Sequence, residues 1–325
     1  MKNKTKLCAI GCGRHASKFH YPALAEMEDV ELAGLAELSE EQRQVGIENF
    51  GFRKAYNDYA QMLEKEKPDA VYVIMPPEHT FTVSRYCLSQ GYNVFCEKPP
   101  GLTVFQTRVL LEIAKDKGCI TQVGFQRKFV PLVQKMREMV EKKGRIDQIA
   151  VTFCKNAAST PPMVADMLTL GLNHLLDVML WLASSEPEKV ASVVYDSYKD
   201  NNVLYNALVL FENGVSSTFL GNYNSGRRYS QIEIQGNACV ATTDIENIGT
   251  YYDKDNPDGI TVTAEEAAGS DKPHRVLGFY DQSRDFIDCV RTGSKPTGCL
   301  ENALKTMELG EKIYTNAINQ KGICK

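Results

Sequence analysis

Five short apolar runs punctuate the first 123 residues: Leu7–Ile10, Val30–Ala36, Ala70–Met75, Tyr92–Cys96 and Ile120–Val123. They are nearly continuous rather than alternating, as expected of strands buried on both faces of a parallel sheet. Between the later runs, apolar positions recur at helical spacing over Thr80–Gln90 and Thr103–Lys117. Each of these segments is followed by a helix-stopping glycine, Gly91 and Gly118. Strands alternating with helices predict a doubly wound α/β parallel sheet. After about residue 124 the texture changes. Pro131–Lys143 reads as one amphipathic helix, followed by β-branched and aromatic runs at 148–153, 190–198, 203–211, 215–223 and 231–235. Glu212-Asn213-Gly214 between two of these reads as a hairpin turn. Successive strands joined by turns predict an α+β domain with a large, mostly antiparallel sheet. The expected division is therefore 1–123 and 124–325, with the polar stretch 247–272 rich in loops. One face of such a sheet needs covering, by helices or by a second subunit in a homodimer or homotetramer.

Length and charge narrow the picture. A chain of 325 residues exceeds the size at which one core stops growing, so two domains are expected. A net charge of −4 gives no electrostatic case for nucleic acid or an anionic membrane. No apolar run approaches the roughly 20 residues of a spanning helix. The basic start, Met1–Lys6, leads directly into a strand and not into a signal-peptide core, which predicts a cytoplasmic protein. Ten cysteines are scattered without a Cys-x-x-Cys pair, and five histidines lack His-x-x-His or His-Glu-x-x-His spacing. Reduced thiols and no metal centre are expected.

The chemistry begins where the first run ends, in Gly11-x-Gly13-x-x-Ala16. Glycine at 11 permits a tight turn, glycine at 13 lets the backbone approach a pyrophosphate, and Ala16 lets the next helix pack on the strand. That helix aims unpaired N–H groups at the phosphates. Gly11, Cys12, Gly13, Arg14 and His15 are thus candidate cofactor contacts, and the first domain reads as a Rossmann domain. Glu37 closes the second run. Its carboxylate can accept hydrogen bonds from both ribose hydroxyls and repel a 2′-phosphate, and Leu38 and Ser39 offer no arginine, so NAD is expected over NADP. Taken alone, Glu37 also fits an ordinary solvated loop acid.

Two further constellations stand out. Glu97-Lys98-Pro99 ends the fourth run, and its proline stops the ladder and delivers an ammonium to the sheet's carboxyl edge, where ligands bind in open α/β sheets. A surface lysine at a strand exit is the plainer alternative. In the apolar stretch Asp166–Leu182, His174 and Asp177 are polar intrusions three residues apart, on one helical face. An acid beside an imidazole fixes its tautomer and raises its basicity, as a general base requires. The same pair equally fits a core histidine satisfied by a local carboxylate.

Together these residues resemble the Gfo/Idh/MocA oxidoreductases, the glucose–fructose oxidoreductase and inositol dehydrogenase family. The landmarks are Gly11-x-Gly13-x-x-Ala16, Pro76-Pro77-Glu78-His79, Glu97-Lys98-Pro99, Val123-Gly124-Phe125-Gln126-Arg127, His174-x-x-Asp177 and the tail from Asp281 to Leu304. The resemblance implies an NAD(P)-dependent dehydrogenase acting on a CH–OH group of a sugar, polyol or sugar derivative. Lys98 would then stabilise alkoxide charge and His174 would exchange the hydroxyl proton. Glu97 and Gln126 would flank the nicotinamide half of the cofactor, and Pro76, Pro77 and His79 the adenosine half. A cis Lys98–Pro99 bond is also implied. One departure is plain: the Asp usual in the family four residues before the histidine is Leu170 here, leaving Asp166 and Asp177 as the nearby acids. Two alternatives stay open. One is a redox-neutral sugar-modifying enzyme with retained NAD, and the other a non-catalytic NAD-sensing regulator, which would need neither Lys98 nor His174.

Overall fold

The computed structural model describes residues 4–156, 171–197 and 202–317. The chain forms two units that alternate along the sequence. One holds the chain up to Gln126 together with Lys272–Leu304, the other Arg127–Asp271 and the chain from Lys305. A single boundary at 123 falls close to the first crossing. The return of 272–304 has no counterpart in that reading, which placed everything after 124 in the second domain. It follows from the helix Phe279–Thr292, whose Phe286 and Ile287 are fully buried in the first unit's core, Phe286 beside Tyr72 and Phe95.

In the first unit, six parallel strands lie in the order β3-β2-β1-β4-β5-β6. They are β1 (Thr5–Ile10), β2 (Val30–Ala36), β3 (Lys54–Tyr56), β4 (Ala70–Val73), β5 (Asn93–Cys96) and β6 (Thr121–Val123). Alternate residues feed opposite cores. Cys8, Ile10, Val71, Val73, Val94 and Cys96 pack on one face, and Leu7, Ala9, Ala70, Tyr72 and Phe95 on the other. Burial on both sides is the physical source of the continuous apolar runs. The open edge of β6 is covered by the returning segment. Val123 donates its N–H to Gly298 O at 2.8 Å, and Gln282 Nε2 donates to Val123 O at 2.9 Å, so that edge is not left as a pairing template.

Glu66, buried at the end of the helix Tyr59–Glu66, accepts hydrogen bonds from Lys54 Nζ at 2.8 Å and Tyr56 Oη at 2.5 Å. The Lys54 ammonium, then the Tyr56 hydroxyl, bring its carboxyl down from an ordinary 4.5 to about 2. A carboxyl depressed in the folded state contributes stability that is full above its unfolded pKa and lost as pH falls through the folded one. Thermal melts should therefore show a Glu66-dependent loss between pH 4.5 and 2 that is absent in Glu66→Gln. Parallel wild-type and mutant curves over that window would refute the assignment.

The second unit is built on an eight-stranded sheet in the order β14-β13-β12-β11-β7-β10-β9-β8. Its strands are β7 (Gln148–Asn156), β8 (Pro187–Ser197), β9 (Asn202–Phe211), β10 (Ser216–Asn222), β11 (Asn224–Gly236), β12 (Cys239–Thr243), β13 (Ile248–Asp253) and β14 (Asn256–Thr263). Only β7 and β10 are parallel neighbours, and every other pairing is antiparallel. The hairpin expected at 212–214 joins β9 to β10, with Gly214 at φ +84°. The stretch 247–272, expected to be loop-rich, instead supplies β13, β14 and the helix Ala264–Ala268. β14 is an edge strand with no fully buried residue and a proline, so it carries no apolar signal. The helix Pro131–Glu141 buries Leu132, Val133, Met136 and Val140 against β11–β13, and the helix Asn173–Ala183 packs on β7. Val193, Leu208 and Leu220 stay exposed and line a shallow depression over β8, β9 and β10. Leu170 and Asp166 lie outside the described residues.

Candidate active site

The carboxyl edge of the six-stranded sheet gathers the first unit's polar motifs in a row fixed by strand order. Glu37 follows β2, the glycine turn follows β1, Pro76–His79 follows β4, Glu97-Lys98 follows β5 and Gln126 follows β6. Strand order reverses between β1 and β4, and such a switch point opens a ligand crevice. Gly11 has φ +94°, and a Cβ there would meet Ile74 O at 2.2 Å, so no other residue fits the turn. A Cβ on Gly13 would meet no atom within 4 Å, which leaves the space a pyrophosphate needs against the backbone. The following helix, 14–25, contains a π-helical turn over Ala16–His20, and Tyr21 anchors it by donating its hydroxyl to Gly11 O. These features fit a bound dinucleotide.

Glu37 accepts Cys12 N–H at 2.8 Å on Oε2 and Ser39 N–H at 3.0 Å on Oε1, which fixes the carboxylate beside the turn. Arg43, from the helix Glu40–Phe50, donates through Nη1 to Glu37 O at 2.7 Å and Leu38 O at 2.8 Å. Sequence inspection of Leu38 and Ser39 alone missed this arginine, which the helix folds back onto the loop. Pro76, Pro77 and His79, expected to flank the adenosine half, follow β4, on the Glu97 side of the glycine turn. His79 and Pro76 are exposed there, at the start of the helix Pro77–Ser89.

On the other side of the turn, Glu97 is buried and Lys98 half-buried, and the Lys98–Pro99 bond is cis. Glu97 Oε1 receives His20 Nε2 at 2.9 Å and lies 3.5 Å from His15 Nε2, while Oε2 accepts Lys98 N–H at 3.0 Å. Burial works to raise the Glu97 carboxyl, but the two histidines overcome it and hold the group well below the carboxylate range. Burial pulls the His20 imidazole down against the upward pull of Glu97; its Nε2 lies on Glu97 Oε1, while its Nδ1 has no hydrogen-bond partner among the described residues. Phe279 packs edge-on against both histidines and stacks on Phe19 at 4.7 Å. The π-helical turn is what puts His15 and His20, five apart, on one side, and no sequence rule flags that pair. Among the described residues, His15, His20 and Glu97 are the one trio able to bring three metal-ligating atoms within 4.8 Å.

In the second unit, His174 is half-exposed in the first turn of the helix Asn173–Ala183 and Asp177 is buried one turn on. Asp177 Oδ1 accepts Lys128 Nζ at 2.9 Å, with Thr306 Oγ1 at 3.4 Å, and Oδ2 has no partner among the described residues. Burial pushes the Asp177 carboxyl up, against the pull of Lys128. The acid expected to orient His174 is thus engaged by a buried lysine that sequence reading did not single out. Gln126 is half-buried at the start of a 3₁₀ turn that also carries Arg127 and Lys128.

Residues 6–125 match a family model described as an oxidoreductase family with an NAD-binding Rossmann fold. A D-glucoside 3-dehydrogenase of Escherichia coli is 31% identical over 46% of this chain and 42% of its own length. A myo-inositol 2-dehydrogenase of Thermotoga maritima is 26% identical over 94% of either chain. The chain spans about half the length of the first curated relatives it matches, 42%, 52% and 58%. Among solved structures, a dehydrogenase from Chromobacterium violaceum superposes with a TM-score of 0.87 at 20% identity, covering 97% of this chain and 96% of its own. A levoglucosan dehydrogenase solved with NADH and levoglucosan gives 0.83 at 17% identity, covering 97% of each. At these identities the structural likeness carries the fold.

Proposed function

We propose that this chain, whose residues 6–125 match the Gfo/Idh/MocA oxidoreductase family model, is an NAD(P)-dependent dehydrogenase acting on a secondary alcohol of a sugar, polyol or sugar derivative. The observation that carries this reading is Lys98, delivered to the carboxyl edge of β5 beside a glycine turn that leaves room for a pyrophosphate. When bound, the nicotinamide supplies a two-electron hydride acceptor. The residues of the chain handle charge and protons. Lys98 stabilises the negative charge that develops on the reacting oxygen as the C–H bond gives up its hydride. His174 takes the hydroxyl proton, and returns it in the reverse direction. Glu97, held ionised by His20, fixes the Lys98 amide. Asp177 is assigned to the buried pair with Lys128 in place of proton transfer. The test is to follow reduced-nicotinamide absorbance across aldoses, inositols, sugar acids and sugar phosphates with either dinucleotide. Absence of turnover with every compound, alongside cofactor binding, would move the protein to the regulator class. NAD released only on denaturation would favour the redox-neutral class.

NAD is the proposed cofactor because the Glu37 carboxylate is fixed at the end of β2 beside the glycine turn, where an acid can accept from ribose hydroxyls, and Arg43 makes NADP the secondary one. In Glu37→Ser, the ratio of kcat/KM for NAD over NADP should fall about tenfold, and adding Arg43→Ala should restore it, as expected of one charged hydrogen bond. An unchanged ratio in Glu37→Ser would remove that acid from cofactor choice.

The described cysteines are all free, which supports a reducing compartment, the cytoplasm; recovery from another cell fraction would overturn this. No helix among the described residues is long and apolar enough to cross a membrane. The exposed apolar patch of Val193, Leu208 and Leu220 supports a homodimer or homotetramer through the second unit's sheet. A monomer in sedimentation equilibrium would refute it.

A further inference from the structure

We propose that the second unit carries an anion-recognition site and that the substrate is an acidic sugar, bearing a carboxylate or a phosphate. The inference rests on the dehydrogenase reading above and names its substrate class.

Three cations meet at one end of the eight-stranded sheet. Lys155 lies near the carboxyl end of β7 and Arg228 near the start of β11, each one residue beyond the Cys154–Tyr229 pair of those neighbouring strands. Arg127 enters from the 3₁₀ turn before the helix Pro131–Glu141. It is only 6% exposed, donates Nη1 to Ser230 Oγ at 2.9 Å, and holds its guanidinium 4.9 Å from the Phe153 ring centroid. Lys155 sits half-buried with its ammonium 4.7 Å over the Tyr223 ring. Neither Arg127 nor Lys155 has a carboxylate within 4.0 Å among the described residues, and Arg228 has Glu246 at 3.4 Å. The other acid nearby, Asp244, accepts the backbone N–H groups of Asn247 and Ile248 and the Asn247 amide within its own turn.

Buried charge is ordinarily paired, because taking an ion out of water costs several kcal/mol unless an opposite charge replaces the solvent. Here burial, then the nearby Arg228, bring Arg127 down to about 10, and the same two causes lower Lys155. An incoming anion relieves both. A guanidinium fork suits carboxylate or phosphate oxygens, and Lys155 adds a point charge. Arg228 and Ser230, the acceptor of Arg127, help line a cleft of about 450 Å³, the size of small-ligand sites, whose lining also holds Asp244 and Glu246 and does not itself include Arg127 or Lys155.

The cluster also adjoins the candidate base within the same unit. A Cβ on Gly171, three residues before His174, would come within 1.8 Å of the Tyr223 hydroxyl, and it is the Tyr223 ring that carries Lys155. An anionic group seated on these cations therefore lies beside the start of the helix that presents His174.

The experiment compares a hexuronate, a hexose phosphate and their neutral parents as substrates, with titration calorimetry of the hexuronate and of inorganic phosphate run separately. One acidic class should exceed the neutral sugars about a hundredfold in kcat/KM, the scale of one or two charged hydrogen bonds, and which arm wins identifies the anion. Arg127→Met should raise KM for that sugar about a hundredfold with kcat little changed, with partial rescue by Arg127→Lys. Arg228→Ala, at an exposed position where folding is not at stake, should raise it about tenfold. KM for neutral sugars should not rise in either variant. Neutral sugars as the best substrates, or acidic-sugar KM values unmoved by both substitutions, would overturn the proposal and leave the dehydrogenase intact. Calorimetric anion binding that Arg127→Met abolishes, without turnover of any sugar, would uphold the site and remove the dehydrogenase.

Discussion

Lys98→Met is expected to lower kcat about a thousandfold while NAD(P)H still binds as in the wild type. Methionine keeps most of the stem and removes only the ammonium, so packing at the end of β5 changes little. The loss expected from deleting a preorganised donor aimed at developing negative charge is about 10²–10³-fold, and a full cation in a half-buried position belongs at the upper end. Its preorganisation is visible in the backbone. The Lys98 N–H is tied to Glu97 Oε2, whose other oxygen is held by His20. The measurement is steady-state kcat beside cofactor affinity by nicotinamide fluorescence. A kcat within tenfold of wild type would take Lys98 out of the chemistry, and loss of both kcat and cofactor binding would assign it to holding the dinucleotide.

The second large effect concerns stability. Asp177→Leu should destabilise the protein by about 3–5 kcal/mol, because it strands the Lys128 ammonium, 2% exposed, without its counter-ion. Lys128→Met should cost a similar amount, stranding the carboxylate. The double variant should recover most of the loss, since apolar groups of similar volume can replace a buried pair at little net cost. Denaturant melts of the four proteins make the cycle. Additive losses in the double variant would mean that the two groups do not act as a pair. Asp177→Asn separates this role from a catalytic one: a normal melt with a collapsed kcat would return Asp177 to proton handling.

Much of the fold was legible because it is driven by burial on both sheet faces. Leu7–Ile10, Ala70–Val73 and Asn93–Cys96 are apolar at nearly every position, and only a central parallel strand asks for that. β13 and β14 were not legible, because a strand with one or both faces in water needs no continuous apolar pattern, and β14 also lies at the sheet's edge. In the site, the glycine turn, Glu37 and the Glu97-Lys98-Pro99 strand end could be read locally, since each role depends on a few consecutive residues. His20, Arg43 and Lys128 could not. The first depends on a π-helical turn, the second on a helix folding back over its own loop, and the third on a partner 49 residues away. The partner of Asp177 was hidden for the same reason. Helical spacing put Asp177 near His174, and the sequence held no sign that Lys128 would claim its oxygen.

The return of residues 272–304 to the first unit has a consequence for how the protein is made. A domain whose sequence is contiguous can close as soon as it leaves the ribosome, and N-terminal domains usually do. This one cannot. Until Phe286 and Ile287 emerge, one core beside Tyr72 and Phe95 stands incomplete, and until Gly298 emerges the edge of β6 has no cover. The nucleotide-binding unit is begun first and finished nearly last, with the whole of 127–271 synthesised in between. A nascent chain stalled after residue 126 should remain sensitive to protease, and one stalled once residue 304 has cleared the exit tunnel should not.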